Sequence, residues 1–128
     1  MRKKVLFINQ EPIDLSLINS LKKTFEIDAV QGLEAFEILI QSKNIFEYDC
    51  IFMDPAMDPD PLYSMRLSLD GKTTGHLMYK DYQMEDLDSQ IIVWSKELLD
   101  LYEDLLWGKN VKFAKKILEV NTIVLLVD

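Results

Sequence analysis

The sequence is poor in the residues that build disulfide frameworks, flexible linkers and basic surfaces. Its 128 residues include one cysteine, one histidine, four glycines and four prolines. The single cysteine, Cys50, excludes an internal disulfide bond and is typical of a reducing compartment. Aspartate and glutamate outnumber lysine and arginine by 22 to 14, which gives a formal net charge of −8. Because nucleic acids and acidic lipid surfaces are bound through cations, this deficit argues against direct binding to either.

Long apolar segments are also missing. The longest run, residues 123–127, is far too short to span a bilayer. The apolar stretch behind the basic N-terminus, residues 5–8, is too short for a signal peptide. With 48% hydrophobic and 28% charged residues, the composition is that of a folded globular protein. We therefore expect a single domain over residues 1–128, located in the cytoplasm.

Apolar runs alternate with helical patterns along the chain. Continuous runs predict strands that are covered on both faces at residues 5–8, 50–53 and 91–94. Shorter strands are predicted at residues 25–30 and 111–113. Apolar residues at helical spacing predict helices over residues 13–24 and 33–40, from residue 74 onward, and over residues 97–106. The irregular segment 55–73 contains three of the four prolines, and the final segment, 116–128, fits either a helix or a strand.

This alternation predicts a parallel sheet with helices on both of its faces. In such sheets, functional groups collect at the carboxyl ends of the strands. The polar residues at the predicted strand ends are Asn9, Gln10, Glu11, Asp54, Ser95, Lys115 and Lys116. They come from different strands, and we expect the fold to bring them together.

The order and spacing of these segments resemble the receiver domain of bacterial two-component response regulators. Residues 4–12 are similar to the family's first strand, and residues 48–57 to the strand that bears the phospho-acceptor aspartate. Residues 32–39 and 74–80 resemble the second and third helices, and residues 91–95 the fourth strand. Gly108 and Lys115, seven positions apart, match the family's spacing from glycine to lysine. The resemblance covers almost the whole chain.

The resemblance implies a flavodoxin-like (CheY-like) α/β fold, a three-layer α/β/α sandwich with five parallel strands in the order 2-1-3-4-5. It implies a phosphoprotein of two-component phosphorelay signalling rather than an enzyme. The implied partner is a histidine kinase, a phosphotransfer protein or an effector. Asp54 falls at the phospho-acceptor position, Ser95 at the residue that contacts the phosphoryl group, and Lys115 at the family's lysine. A shift of one residue gives the last role to Lys116 instead, with Phe113 as the aromatic switch residue.

Asn9 and Gln10 stand where the family carries the acidic pair that holds Mg²⁺. Amides supply oxygen atoms but no charge, so the resemblance implies a weak Mg²⁺ site formed by Glu11 and Asp54. Two functions remain open at this point. The chain is either an atypical receiver in which Asp54 accepts a phosphoryl group, or a phosphorylation-independent pseudo-receiver that acts as a protein-interaction module.

The C-terminal segment 117–127 carries more apolar residues than one helical stripe requires. The fourth and fifth helices of receivers often mediate dimerisation, so we expect a homodimer through this region. A cofactor-binding enzyme on a flavodoxin-like fold would instead need a phosphate-binding loop rich in glycine, serine or threonine after the first strand. Residues 9–12, Asn-Gln-Glu-Pro, provide no such loop.

Overall fold

A computed structural model describes residues 2–96 and 100–128 of the chain. Its strands are β1 (Lys4–Asn9), β2 (Glu26–Gln31), β3 (Cys50–Met53), β4 (Gln90–Ser95) and β5 (Val111–Lys115). Its helices are α1 (Leu15–Leu21), α2 (Gly32–Ser42), α3 (Thr74–Asp81), α4 (Asp100–Asp104) and α5 (Val120–Val127). Single 3₁₀ turns lie at Ile45–Glu47 and Met84–Asp86. None of the helices in the described ranges is long and apolar enough to cross a membrane.

The five strands form one parallel sheet in the order β2-β1-β3-β4-β5, which confirms the predicted flavodoxin-like order. The central strands β1, β3 and β4 are buried along almost their whole length. Their sequences are apolar without alternation because helices cover both faces of the sheet. The edge strands β2 and β5 are only half-buried, and their sequences mix apolar and charged residues.

Two hydrophobic clusters fill the space between the sheet and the helices. On one face, Leu33 and Phe36 of α2 and Met78 and Tyr79 of α3 are buried against the sheet. On the other face, α1 and α5 cover three aromatic rings from neighbouring central strands. Phe52 stacks on Phe7 at 4.8 Å and lies 4.6 Å from Trp94, measured between ring centroids. The predicted three-layer α/β/α sandwich is therefore confirmed.

Several predicted boundaries differ from the observed ones. The first helix begins at Leu15 rather than at residue 13 because Asp14 caps its N-terminus, where the Ser16 N–H donates to Asp14 Oδ1 at 2.8 Å, and it ends at Leu21 rather than at residue 24. Of the predicted helix 97–106, α4 covers Asp100–Asp104, and residues 97–99 lie outside the described residues. The last part of the final segment is helical from Val120, so its interpretation as a strand was wrong.

The segment between β3 and α3, residues 54–73, contains turns but no helix or strand. Ser68, in the second half of this segment, is fully buried, and its hydroxyl donates to Ser64 O at 2.9 Å and accepts from the Gly71 N–H at 3.0 Å. The Thr74 hydroxyl donates to Met57 O at 2.6 Å and so ties the segment to the start of α3. These hydrogen bonds hold the segment together and attach it to α3.

Candidate functional site

A cleft of about 240 Å³ opens at the carboxyl edge of the sheet. Its lining includes Asn9, Gln10 and Glu11 after β1, Asp54 after β3, Ser95 of β4, and Lys116 after β5. The polar residues that the sequence placed at separate strand ends therefore meet in one cleft, with the exception of Lys115. Parallel strands bring their carboxyl ends to the same edge, which is why residues distant in the chain converge there.

Asp54 and Lys116 form an ion pair at the base of this cleft. Lys116 Nζ donates to Asp54 Oδ2 at 3.0 Å, and the two side chains are only 7% and 11% exposed, respectively. The other carboxylate oxygen, Oδ1, accepts a hydrogen bond from the Ala56 N–H at 3.1 Å. Both oxygens of the buried carboxylate thus have a donor, and its charge is balanced within the chain.

The lysine beside Asp54 is Lys116, and the preference for Lys115 was wrong on position. Lys115 is the exposed last residue of β5 and pairs in register with Ser95. The Lys116 N–H donates to Ser95 O at 2.8 Å, which continues the ladder one residue past the strand and directs its side chain into the cleft. The spacing from Gly108 therefore predicted the position of this lysine one residue too early. Phe113, three residues before Lys116, is half-buried next to Trp107.

The two amides at the end of β1 are held by different contacts. Asn9 is 4% exposed, and its Nδ2 donates to Glu11 O at 3.3 Å. Its Oδ1 is buried without a hydrogen-bond partner in the described part of the chain. Gln10 Oε1 accepts a hydrogen bond from the Asp58 N–H at 2.7 Å. Gln10 therefore connects the end of β1 to the segment that follows β3.

Glu11 lies at the rim of the cleft. Its side chain is 77% exposed, and its carboxylate is 3.8 Å from Lys96 Nζ. Within residues 2–96 and 100–128, no group of three or more histidine, cysteine, aspartate or glutamate side chains is placed to hold a metal ion. The Asp54 carboxylate is already paired with Lys116, and the Gln10 oxygen already has a donor. This donor set fits a Mg²⁺ site poorly, because Mg²⁺ favours carboxylate oxygens in an octahedral arrangement.

Two contacts of the site were missed by the sequence analysis. The hydrogen bond from the Ala56 N–H to Asp54 Oδ1 spans two residues, a local pattern that aspartate commonly makes in turns. The Asp–Pro–Ala sequence was the available signal for it. The contact between Gln10 and Asp58 spans 48 residues and left no local signal.

Comparison with solved structures finds similar chains, whereas comparison of the sequence finds none. No family model matches the sequence, and no curated protein does. The fold is similar to the crystal structure of the receiver domain from the hybrid histidine kinase CckA, at 17% identity and a TM-score of 0.54. That alignment covers 97% of this chain and 94% of the other. The chemotaxis response regulator CheY4 of Vibrio cholerae aligns over 80% of this chain and 76% of its own, at 13% identity and a TM-score of 0.48.

The class of fold follows from the strand order and from the CckA likeness together. The chain has the CheY-like receiver fold, and the likeness extends over nearly the whole of both chains. At 17% identity the likeness concerns the fold alone, and the role of the cleft depends on its own residues.

Proposed function

We propose that the chain is an atypical response-regulator receiver domain, a single domain over residues 1–128 that acts in cytoplasmic two-component phosphorelay signalling. The observation that carries this proposal is the convergence of Asp54, Ser95 and Lys116 in one cleft at the carboxyl edge of the sheet. Lys116 Nζ lies 3.0 Å from Asp54 Oδ2, so an acceptor carboxylate and a balancing cation are already in contact. The receiver fold supports the same proposal.

In the proposed reaction, Asp54 is the acceptor of a phosphoryl group. One of its carboxylate oxygens attacks the phosphorus of a phosphodonor, and a new oxygen–phosphorus bond forms. The bond to the leaving group breaks, and the leaving group keeps the electron pair. The Lys116 ammonium balances negative charge as it builds up on the phosphoryl oxygens, and the Ser95 hydroxyl donates a hydrogen bond to one of them. Asp54 is modified rather than regenerated, so the domain carries a signal and is not an enzyme.

A Mg²⁺ ion would supply further positive charge for this reaction. Glu11 and Asp54 are the carboxylates that line the cleft, and we expect them to hold Mg²⁺ weakly. Asn9 and Gln10 contribute no charge, and Lys116 already neutralises Asp54.

The hydrogen bond between Gln10 and the Asp58 N–H favours a second candidate function. This hydrogen bond uses the Gln10 amide oxygen to fix the segment after β3, so that oxygen is not free to act in the cleft. In this alternative, the chain is a phosphorylation-independent pseudo-receiver, and the buried pair of Asp54 and Lys116 serves only to stabilise the fold.

Treatment with acetyl phosphate and Mg²⁺, followed by intact mass spectrometry, separates the two candidates. The first predicts that the wild-type protein gains one phosphoryl group and that Asp54→Asn gains none. The matched variant is the double substitution Asn9→Asp and Gln10→Asp, which restores two carboxylates next to Asp54. If the double variant is modified and the wild-type protein is not, the phosphorylation-independent function is supported and the first candidate fails.

The partners that we propose are a histidine kinase, a phosphotransfer protein or an effector protein, together with a second copy of the chain. The homodimer would form through the fourth and fifth helices. Leu125 of α5 supports this contact, because its side chain is 76% exposed on a mainly apolar helix.

A further inference from the structure

The charged side chains that line the cleft at Asp54 balance one another. Among the described residues of that lining, two carry a negative charge and two a positive charge: Glu11, Asp54, Lys96 and Lys116. At the rim, the Glu11 carboxylate is 3.8 Å from Lys96 Nζ. At the base, Asp54 Oδ2 is 3.0 Å from Lys116 Nζ. Each of these carboxylates therefore has an ammonium group of its own before any divalent cation is considered.

A divalent cation at Asp54 would compete with contacts that already exist. Asp54 Oδ2 accepts a hydrogen bond from Lys116 Nζ, and Oδ1 accepts one from the Ala56 N–H. A cation bound to this carboxylate would lie beside the Lys116 ammonium, and like charges repel strongly in a buried site. The Gln10 amide oxygen accepts from the Asp58 N–H, so it is not available as a further ligand. Charge and geometry therefore both oppose Mg²⁺ binding.

Asn9 does not compensate for this lack of ligands. Its Oδ1 is buried and has no hydrogen-bond partner in the part of the chain that the structure describes. That oxygen carries no charge, and Mg²⁺ is held in proteins chiefly through carboxylate and phosphate groups and water. A neutral amide oxygen does not offset the repulsion from Lys116.

Lys116 is held in the position that a charge-balancing cation needs. Its side chain is 7% exposed, and its Nζ lies 5.7 Å from the centroid of the Trp94 ring. Its N–H donates to Ser95 O at 2.8 Å, so the end of β4 fixes the backbone from which the side chain extends. A cation that is already oriented needs no rearrangement as charge develops, and it acts more strongly where water is excluded.

We propose that Asp54 accepts a phosphoryl group without a divalent cation, because Lys116 supplies the positive charge. This inference rests on the proposed function, phosphoryl transfer to Asp54. A bond forms from a carboxylate oxygen of Asp54 to phosphorus, and the bond from phosphorus to the leaving oxygen of the donor breaks. The leaving group keeps the electron pair, and the Lys116 ammonium keeps its proton. The modification then depends on the phosphodonor and not on the concentration of Mg²⁺.

Acetyl phosphate, supplied with either Mg²⁺ or EDTA, tests the proposal through the time course of the adduct in intact mass spectra. The wild-type protein is expected to gain one phosphoryl group at the same rate under both conditions. Asp54→Asn controls for modification elsewhere and should gain none. The double variant Asn9→Asp and Gln10→Asp adds two negative charges to the cleft, so its modification should be faster with Mg²⁺ than with EDTA by about tenfold or more.

Lys116→Met removes the cation, and its modification in EDTA should be slower than that of the wild-type protein by about a hundredfold or more. Lys115→Met removes an exposed lysine that does not line the cleft, and it should be modified at the wild-type rate. Far-UV circular dichroism establishes that each variant is folded. If Lys116→Met does not fold, the comparison of Mg²⁺ with EDTA in the wild-type protein still decides the question.

A titration with MgCl₂ alone measures binding separately from the reaction. The indole N–H signal of Trp94 in NMR spectra is the probe, because Lys116 Nζ lies close to its ring. The indole of Trp107, which donates to Tyr102 O at 2.6 Å, is the internal control. In the wild-type protein, neither signal should shift at up to about 10 mM Mg²⁺ relative to NaCl of the same ionic strength. In the double variant, the Trp94 signal should shift and saturate.

Two sets of results would overturn the inference in different ways. Modification of the wild-type protein that requires Mg²⁺, or a saturating shift of its Trp94 signal, would overturn the inference and leave the proposed function in place. Folded Lys116→Met that is modified at the wild-type rate would do the same. The absence of an adduct with both Mg²⁺ and EDTA would overturn the proposed function, and this inference with it.

Discussion

At the scale of single residues, the pair formed by Asp54 and Lys116 dominates the candidate site. Neither side chain is more than 11% exposed, so each charge has lost most of its contact with water. Their mutual attraction, aided by the Ala56 N–H, offsets that loss. Removing one partner leaves the other charge buried and unbalanced. The adjacent lysine, Lys115, is exposed and provides a natural comparison.

We expect Lys116→Met to lower the free energy of unfolding by about 3–5 kcal/mol, because it leaves the Asp54 carboxylate buried without its cation. Lys115→Met should change it by less than about 0.5 kcal/mol, as is usual for an exposed position. Urea denaturation followed by circular dichroism measures both.

The double variant Asp54→Asn and Lys116→Met should recover part of the loss, since it removes both charges. Equal effects of Lys115→Met and Lys116→Met would contradict the ion pair as a source of stability.

At the scale of secondary-structure elements, the start of α3 lies close to the end of β3. The Gly75 N–H donates to Pro55 O at 3.0 Å. A Cβ atom on Gly75 would lie 2.7 Å from Pro55 Cα and 3.0 Å from Asp54 O. Because both neighbours are backbone atoms, they cannot move aside independently of Asp54. The absence of a side chain at Gly75 therefore helps to fix the position of the candidate acceptor.

Gly75→Ala should destabilise the protein by about 1–3 kcal/mol through this overlap. It should also perturb the NMR signals of Asp54 and Ala56. The control is Gly32→Ala at the start of α2, where, apart from the adjacent backbone, no atom of the described residues lies within 4 Å of a new Cβ but φ is +80°. That variant should cost about 1–2 kcal/mol from backbone strain alone and leave the signals of the cleft unchanged. Unchanged signals of Asp54 and Ala56 in Gly75→Ala would contradict the proposed coupling.

The elements also explain what the sequence could and could not predict. The central strands were predicted well because burial on both faces leaves continuous apolar runs, as in Cys50–Met53. The residues of the candidate site were predicted from the polar residues at the ends of the strands, except that the predicted lysine was one residue away from the observed one. Whether Lys115 or Lys116 enters the cleft depends on the pairing of β5 with β4, which is a tertiary property. The contact between Gln10 and Asp58 is likewise tertiary.

At the scale of the whole molecule, the sheet separates two apolar layers. One layer contains the stacked rings of Phe7 and Phe52, with Trp94 tilted against Phe52. In the other, Trp107 packs edge-to-face on Tyr79, with 5.0 Å between ring centroids. The two layers pack on opposite faces of the same central strands. Loss of packing in one layer therefore loosens the strands on which the other layer depends. We therefore expect them to unfold together.

The two tryptophans report separately on the two layers, which allows cooperativity to be measured directly. Trp107→Phe leaves Trp94 as the fluorescent probe of one layer, and Trp94→Phe leaves Trp107 as the probe of the other. In each variant, the fluorescence transition in urea should coincide with the far-UV circular dichroism transition of the same variant, as two-state unfolding requires. The comparison within one variant removes the effect of each substitution on overall stability. Separate transitions in either variant would mean that residues 1–128 contain more than one folding unit, and they would contradict the proposal of a single domain.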